Sequence, residues 1–261
     1  MQGYKAFKEK VYKLTGIDLN SYKERQMKRR IESLISRNKF TSFNSYFNAI
    51  KRDSKLRDEF INYLTINVSE FYRNPEQWKV LEHNIIPYLL ELRSNLKIWS
   101  VACSTGEEPY SLVMLLSKFF PFDQILVLAT DIDRGALEKA SIGVYSEKSL
   151  DNLPKEFVQS FFVKSDGKYK ISEKIKKRVN FRHLNLLEDR YPNQCDLIIC
   201  RNVMIYFTEE AKDNIYRKFY NSLSNGGVLF VGSTEQIILP NRYSLVPLET
   251  FFYKKQARMK K

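Results

Sequence analysis

The segment from Ile98 to Ser111 constrains the fold of this chain more than any other feature of the sequence. An apolar strand runs into a turn of small residues, and Glu107 and Glu108 then open a helix. A strand, a tight turn and a helix in this order form the nucleotide-binding edge of α/β folds. The turn has one glycine, Gly106, and so lacks the spaced glycines that bring backbone amides against a pyrophosphate. Its acids suit a cationic ligand such as S-adenosylmethionine, although a plain strand-to-helix connection stays open.

A second buried strand follows. The continuous apolar run that starts at Ile125 ends on Asp131 and Asp133, and Asp131 lies 25 residues after Gly106. A carboxylate at the tip of the second strand usually holds the ribose hydroxyls in these folds, because it can accept two charge-assisted hydrogen bonds. The alternative role for such an acid is the N-cap of the next helix, and Asp133 fits that role better.

Length and composition exclude several classes. The 261 residues, 43% of them hydrophobic, suffice for one large domain and one small domain. No apolar run reaches the ~18–20 residues of a membrane span, and the first residues lack a signal-peptide core, so we expect a cytoplasmic protein. Cys103, Cys195 and Cys200 have no paired spacing, so neither a metal site nor a disulfide is predicted. His83 and His183 are interpreted as structural.

The first 60 residues are strongly basic, with 15 Lys or Arg against 7 Asp or Glu in a chain whose net charge is +13. Three apolar stripes at helical spacing predict an all-helical segment, with caps near residues 20–21 and 41–42. The second stripe is Met27, Ile31, Leu34 and Ile35. A basic ridge covers the other side of this helix, with Arg25 and Arg29 on the opposite face and Lys28 and Arg30 on the flanks. The ridge is either a solvated helix face or a docking surface for an acidic partner, on a domain away from the strand ends.

Between the helices and the α/β part lies the segment 65–74, in which polar and aromatic residues alternate without a clean period. This pattern indicates a linker folded onto another part of the molecule. Asn67, Ser69 and Arg73 could bind a ligand there, and a capped linker without a ligand is the alternative.

The second half of the chain completes a Rossmann-like sheet. Strands are predicted within Val179–Leu187, Cys195–Phe207, Gly226–Gly232 and Thr250–Tyr253, and the closing strands are typical of an antiparallel edge hairpin. An Asp-Gly turn at 166–167 predicts a hairpin inside an inserted β element. The chain is accordingly divided into a helical domain (1–64), a linker contributing to the site (65–79) and an α/β domain (80–261) with the insertion at 145–178.

Six motifs, in order along the chain, carry a resemblance to a known family. They are Asn67-x-Ser69-x-Phe71-Tyr72-Arg73, Ala102-Cys-Ser-Thr-Gly-Glu-Glu-Pro-Tyr110, Ala129-Thr-Asp-Ile-Asp133, Asn185-Leu-Leu187, Cys200-Arg-Asn-Val-Met-Ile-Tyr-Phe207 and Gly232-Ser-Thr-Glu235. Over nearly its whole length the sequence resembles the chemotaxis receptor methyltransferases, the CheR family. Many members have a threonine where this chain has Ser69, which keeps the hydroxyl and loses only a methyl group.

The resemblance implies an α/β fold: a Rossmann-like S-adenosylmethionine-dependent methyltransferase sheet with an inserted small β-subdomain and an all-helical N-terminal domain. It also implies methyl transfer from S-adenosylmethionine to glutamate side chains on the cytoplasmic helical domains of chemoreceptors, giving methyl esters and S-adenosylhomocysteine. A glutamate with a pKa near ~4.3 is already an anion at pH 7, so no strong base is needed. We expect a monomer that binds neither nucleic acid nor the membrane interior.

The resemblance further implies roles for individual residues. The expected cofactor contacts are Asn67, Ser69, Arg73, Glu107, Asp131, Asn185, Leu186, Arg201 and Asn202. Glu107 would hold the methionine end, Asp131 the ribose, and Asn185 and Leu186 the adenine side. Arg73 would orient the substrate carboxylate, and Tyr206 would point its hydroxyl at the methyl site.

Two other functional classes are less well supported by the sequence. A nucleic-acid methyltransferase would explain the positive charge, but the chain has no Asp/Asn-Pro-Pro-Tyr/Phe loop to hold a flipped base, and none of its cysteines follows a proline. A receptor-binding module without catalysis would be distinguished by failure to bind S-adenosylmethionine.

Overall fold

The computed structural model describes residues 3–256. The N-terminal region is helical, as predicted, and its helices bury the three apolar stripes against one another. These helices are α1 (Tyr4–Thr15), α2 (Glu24–Arg37), α3 (Phe43–Arg52) and α4 (Ser54–Thr65). Ser42 caps α3 by accepting a hydrogen bond from the amide of Ser45, which confirms the predicted cap.

The predicted cap near residues 20–21 is wrong. Asn20 and Ser21 belong to a short 3₁₀ turn, Leu19–Ser21, whose own cap is Asp18. Helix α2 begins only at Glu24, after Lys23, which makes no side-chain cap. The loop between α1 and α2 is therefore longer than predicted, and it reaches the second domain.

The α/β domain is built on a seven-stranded sheet. The strands are β1 (Ile98–Val101), β2 (Val127–Asp131), β6 (Val179–His183), β7 (Cys195–Cys200), β8 (Leu223–Val231), β9 (Leu245–Glu249) and β10 (Phe252–Lys255). Their order is β6-β2-β1-β7-β8-β10-β9. Neighbours from β6 to β8 are parallel, and β10 is antiparallel to both β8 and β9. The antiparallel edge hairpin is present, but it consists of β9 and β10. The sequence did not predict β9, which contains Pro247 and forms the edge of the sheet, where a missing amide is tolerated.

Helices cover both faces of this sheet. They are α5 (Pro75–Val80), which continues through a π-helical turn (Leu81–Ile85) into α6 (Ile86–Leu92), then α7 (Glu107–Leu116), α8 (Arg134–Ile142) and α11 (Glu209–Ser222). Successive residues of β7 belong to different apolar clusters: Leu197 and Ile199 to one, Ile198 and Cys200 to the other. A strand buried on both faces explains why this run is continuously apolar.

The insertion forms a small sheet of order β3-β5-β4. Its elements are β3 (Val144–Ser146), α9 (Lys155–Phe161), β4 (Phe162–Ser165), β5 (Lys168–Ile171) and α10 (Glu173–Lys176). The predicted hairpin is confirmed, with Asp166 and Gly167 both at positive φ, as a type I′ turn requires. Phe71 of the linker packs edge-on against Tyr145 and Phe162 of this sheet. No helix among residues 3–256 is long and apolar enough to span a membrane.

Candidate active site

A cavity lies at the carboxyl ends of the parallel strands, where α/β folds bind their ligands. It holds about 1170 Å³ of empty space, part of it open to solvent. Its wall is shared by three parts of the chain: the strand tips, the linker and the α1–α2 loop. Among its lining residues are Tyr22, Asn67, Ser69, Arg73, Ser104, Glu108, Asp131, Asn185, Leu186, Arg201, Asn202 and Tyr206.

The turn after β1 shapes one wall through unusual backbone conformations. Ala102, Ser104 and Gly106 all have positive φ, with values of 50°, 50° and 93°. A side chain at Gly106 would bring its Cβ to 2.9 Å from the Cβ of Ala140, so the single glycine is required both for its φ and for close helix packing. Ala102, Cys103 and Ser104 of this turn line the cavity.

Asp131 ends β2 inside this wall. One carboxylate oxygen accepts a hydrogen bond from the amide of Ser104 at 2.8 Å, and the other from the amide of Asp133 at 2.8 Å. Burial raises the pKa of Asp131 to about 6, although these amides oppose the shift. Each oxygen has a further lone pair, so the carboxylate retains acceptor capacity for a ligand.

Asp133 is the N-cap of α8, as predicted, and accepts from the amides of Gly135 and Ala136. Its second oxygen accepts from the side chains of Thr65 and Asn67 at 3.1 and 2.7 Å. The side-chain oxygen Oδ1 of Asn67 in turn accepts from the Ser104 hydroxyl at 3.0 Å. Asn67 therefore ties the linker to two strand tips while lining the cavity.

The two glutamates at the start of α7 differ in position. Glu107 is buried and accepts from the hydroxyl of Thr105, and it is not part of the cavity wall. Burial raises its pKa, while hydrogen bonds from Thr105 and Ser69 oppose that shift. Glu108 lines the cavity and accepts from the Ser100 hydroxyl at 2.8 Å. The predicted cofactor contact at Glu107 stays a prediction, and Glu108 is a second carboxylate at the cavity.

Arg201, directly after β7, is almost completely buried. Its Nη2 donates to the carbonyl of Arg73 and to the side chains of Asn74 and Gln77, at 2.7–3.1 Å. Its Nη1 lies 3.6 Å from a carboxylate oxygen of Glu108. Burial lowers the pKa of Arg201, and Glu108 partly restores it. Arg201 thus holds the linker against the strand tips in addition to lining the cavity.

Arg73 and Tyr206 lie near each other at the cavity. Arg73 is half-buried and donates to the carbonyl of Val68 at 3.3 Å, and within residues 3–256 it forms no ion pair. Tyr206 belongs to the 3₁₀ turn Met204–Tyr206. Burial raises the pKa of Tyr206, whereas the charges of Arg30 and Arg73 lower it. The two guanidinium charges therefore oppose the effects of burial and of the Glu235 charge on the pKa of this hydroxyl.

The remaining predicted residues line the cavity but also serve the fold. The side chain of Asn185 donates to the carbonyl of Gly16 at 3.0 Å and accepts from the amide of Leu187 at 3.0 Å. Leu186 provides a buried apolar surface. Asn202 has a φ of 60°, and its amide donates to Glu235, which also accepts from the amide of Gly232. The Glu235 carboxylate therefore stabilises the loop after β7 that contains Asn202.

The α1–α2 loop closes the cavity from the helical side. The amide of Lys23 donates to the carbonyl of Tyr206 at 2.9 Å, and the amide of Thr208 donates to the carbonyl of Ser21 at 2.9 Å. The ring of Tyr22 packs on Phe207 at 4.9 Å. Burial and the charge of Asp131 raise the pKa of Tyr22. Sequence reasoning missed Tyr22, since no local pattern indicates a loop that reaches another domain.

The basic ridge is divided by the structure. Arg25 and Arg29 are exposed, whereas Lys28 and Arg30 are half-buried. Arg30 lies over the ring of Tyr63 at 4.6 Å and donates to its carbonyl. Its charge also acts on Tyr206. The expectation that the whole ridge lies away from the strand ends is therefore wrong for Arg30.

The residues present fit a cofactor with hydroxyls, a cationic centre and an acceptor group. Asp131 has free acceptor capacity, and the buried Nε of Arg201 has no acceptor within the described part of the chain. Glu108 adds a carboxylate, and Leu186 adds an apolar surface. Such a cavity at the strand ends of this sheet defines the class of Rossmann-like S-adenosylmethionine-dependent methyltransferases.

Comparison with known proteins identifies the family within this class. Residues 67–252 match "CheR methyltransferase, SAM binding domain", and residues 2–65 match "CheR methyltransferase, all-alpha domain". A chemotaxis protein methyltransferase of Listeria innocua is 45% identical over 96% of both chains. The chemotaxis protein methyltransferase of Borreliella burgdorferi is 34% identical over 87% of this chain and 85% of its own length. The one of Escherichia coli is 31% identical over 93% of this chain and 87% of its own length. The chain belongs to the CheR methyltransferase family, and its cofactor is S-adenosylmethionine.

Proposed function

We propose that this protein methylates glutamate side chains of chemotaxis receptors. The observation that carries the proposal is Arg73, a guanidinium without an ion pair in the described chain, which lies at the cofactor cavity near Tyr206. A cationic group of this kind suits an anionic substrate, and the curated relatives are chemotaxis protein methyltransferases.

The reaction needs little acid–base chemistry. S-Adenosylmethionine, when bound, supplies a methyl group on a sulfonium. The substrate carboxylate is already ionised at neutral pH, with a reference pKa of about 4.3, and can attack without losing a proton. Catalysis therefore depends on orientation within a site that excludes water, for which intramolecular reactions give effective molarities of ~10⁵–10⁸ M.

Each cavity residue has a role in this arrangement. Asp131 holds the ribose hydroxyls, while Asn185 and Leu186 lie on the adenine side. Asn67, Ser69 and Asn202 bind the cofactor from the linker and from the loop after β7, and Arg201 offers its unsatisfied Nε. Glu107 holds the methionine end, and Glu108 adds a second carboxylate in the cavity wall. These assignments rest on the cavity lining and on the remaining hydrogen-bonding capacity of each group.

Arg73 and Tyr206 act on the substrate. The planar guanidinium of Arg73 can bind both oxygens of a carboxylate at once and so fix its direction of attack. The hydroxyl of Tyr206 remains protonated, since burial raises its pKa, and it can donate a hydrogen bond near the transferred methyl. The exposed Arg25 and Arg29 attract the acidic face of a receptor helix. The protein works as a monomer in the cytoplasm, on receptor domains outside the membrane.

The test is methyl transfer itself. The protein is incubated with labelled S-adenosylmethionine and membranes that contain a chemoreceptor, and the labelled protein is treated with base. Release of labelled methanol is expected from a carboxyl methyl ester, and Asp131→Ala should lose most of it. Label that stays on the receptor after base treatment would contradict the proposal, and so would cofactor binding without any transfer. Failure to bind S-adenosylmethionine would favour a non-catalytic receptor-binding module.

A further inference from the structure

The most exposed large hydrophobic side chains in the described part of the chain lie beside the active site. Ile238 is 84% exposed, and Val68 and Leu239 are each 72% exposed, more than any other large apolar residue among 3–256. Val68 lines the cavity itself. Burying such side chains against a partner is favourable, and their position beside a catalytic cavity indicates a contact surface.

Hydrogen bonds place two segments against the loop 201–207: the linker that carries Val68, and the loop that carries Ile238 and Leu239. Strands β7 and β8 are parallel neighbours, so the loops that follow them leave the same edge of the sheet. Glu235 of the second loop accepts from the amides of Asn202 and Ile205 in the first. On the other side, Arg201 donates to the carbonyl of Arg73 in the linker. Val68 and the pair Ile238–Leu239 therefore flank the loop that carries Tyr206.

The loop 233–240 is anchored, and yet it exposes two apolar residues. Ile237 is buried, and its amide donates to the hydroxyl of Tyr253 at 3.0 Å. Leu239 has a φ of 56° and precedes Pro240, a conformation that is unfavourable for a leucine and for a residue before proline. Neither exposed side chain contributes to the core, so the fold gives no reason for them.

We propose that Val68, Ile238 and Leu239 form an apolar rim that binds the substrate helix on the hydrophobic residues next to the methylated glutamate. This inference rests on the proposed function. In a helix, residues three and four positions from a glutamate share its face. With that glutamate directed to Arg73, apolar side chains one turn away lie against the rim. The arginine supplies the charge complementarity, and the rim selects glutamates with apolar neighbours.

The test is a double variant, Ile238→Ser with Leu239→Ser, assayed on chemoreceptor-containing membranes. The KM for receptor should rise at least fivefold, while the Kd for S-adenosylmethionine and the melting temperature stay as in the wild type. The matched control is Leu126→Ser with Ile142→Ser, which removes two side chains that are 60% and 57% exposed. Leu126 precedes β2, so it lies at the amino ends of the parallel strands, whereas the cavity lies at their carboxyl ends. The control should keep the wild-type KM.

A substrate change sharpens the test. Replacing the apolar receptor residues three and four positions from a modified glutamate by serine should raise the KM of the wild-type enzyme but add little to that of the double variant. Val68→Ser is the second enzyme variant, should the double variant prove unstable, and should also raise the KM.

Three outcomes would overturn the inference. One is an unchanged KM in the double variant while the wild type methylates receptor. Another is that the wild type binds receptor-free phosphatidylcholine–phosphatidylglycerol vesicles and the double variant does not, which would assign the rim to the membrane surface. The third is a wild-type dimer in sedimentation that dissociates in the double variant, which would assign it to a second copy. Absence of receptor methylation by the wild type would instead contradict the proposed function.

Discussion

Two walls of the same cavity are held in different ways. The strand-tip wall, defined as residues 102–104, 108, 131–132, 201–203 and 205–206, is fixed by buried charges and by amides that donate to carboxylates. The helical-domain wall, defined as Tyr22 together with 64–66, is joined to the strand tips by backbone hydrogen bonds, by ring packing and by the Thr65 hydroxyl, which donates to Asp133 at 3.1 Å. The first wall is therefore expected to be rigid, while the second depends on how the helical domain sits. Each prediction below changes one wall and asks whether the other responds.

The largest effect is expected where the strand-tip wall holds a buried ion pair. Arg201→Met should lower the free energy of unfolding by about 3–5 kcal/mol, because it leaves Glu108 buried without its partner. The two side chains are 2% and 14% exposed. The control is Arg217→Met, which removes an ion pair with Asp213 in which the arginine is 54% exposed, and it should lower the free energy of unfolding much less. Urea unfolding measures the free energy of unfolding of both variants. Equal losses would show that the burial of an ion pair does not determine its contribution to stability.

The second prediction concerns cofactor binding by the same wall. Asp131→Ala should weaken S-adenosylmethionine binding by roughly 1.5–3 kcal/mol, the range for hydrogen bonds to a charged group, or about 10- to 140-fold. Calorimetry at pH 7.5 measures it. An affinity within error of the wild type would remove Asp131 from the cofactor site.

The same residue predicts a pH dependence. The pKa of Asp131 is raised to about 6, so lowering the pH through that value protonates the carboxylate and should weaken cofactor binding. Above pH 7 the affinity should be constant. The Asp131→Ala variant should lack this transition, and a transition of equal size in both proteins would assign it to another group.

The third prediction separates orientation from binding. Arg73→Lys should lower kcat about tenfold and change the cofactor Kd less, because an ammonium keeps the charge but not the planar fork. Steady-state kinetics on receptor membranes, together with calorimetry, give both quantities. A normal kcat would mean that the arginine serves the fold of the linker through its bond to Val68.

The fourth prediction addresses the helical-domain wall. Tyr22→Ala should weaken cofactor binding by about 1 kcal/mol, roughly fivefold, since it removes one aromatic side of the cavity while the strand tips stay in place. Tyr12→Ala is the control, because Tyr12 is 46% exposed on α1 and does not line the cavity. A loss as large as that of Asp131→Ala would show that both walls contribute equally.

The same contrast explains how much could be predicted from the sequence. Asp131 and Asp133 were assigned from the end of an apolar run, and the turn at Asp166 from its Asp-Gly pair, because these signals are local. The contact of Tyr22 with Phe207 joins residues about 185 positions apart, so no local pattern contains it. Which of Glu107 and Glu108 lines the cavity depends on the rotation of one helix by a single residue. Domain bounds at 64/65 and 79/80 stay predictions.

The last and smallest effect concerns Arg25 and Arg29, two exposed arginines of α2 that do not line the cavity. Arg25→Glu combined with Arg29→Glu should raise the apparent KM for receptor several-fold and leave the cofactor Kd unchanged. Both side chains are exposed, so the free energy of unfolding should change by no more than about 0.5 kcal/mol, and lost activity could not be attributed to unfolding. Raising salt to about 0.5 M should weaken receptor methylation by the wild type more than by the variant, since salt screens an attraction that only the wild type has. If KM and salt dependence are identical, Arg25 and Arg29 are a solvated face, and the helical domain contributes to catalysis through Tyr22 and residues 64–66 at the cavity.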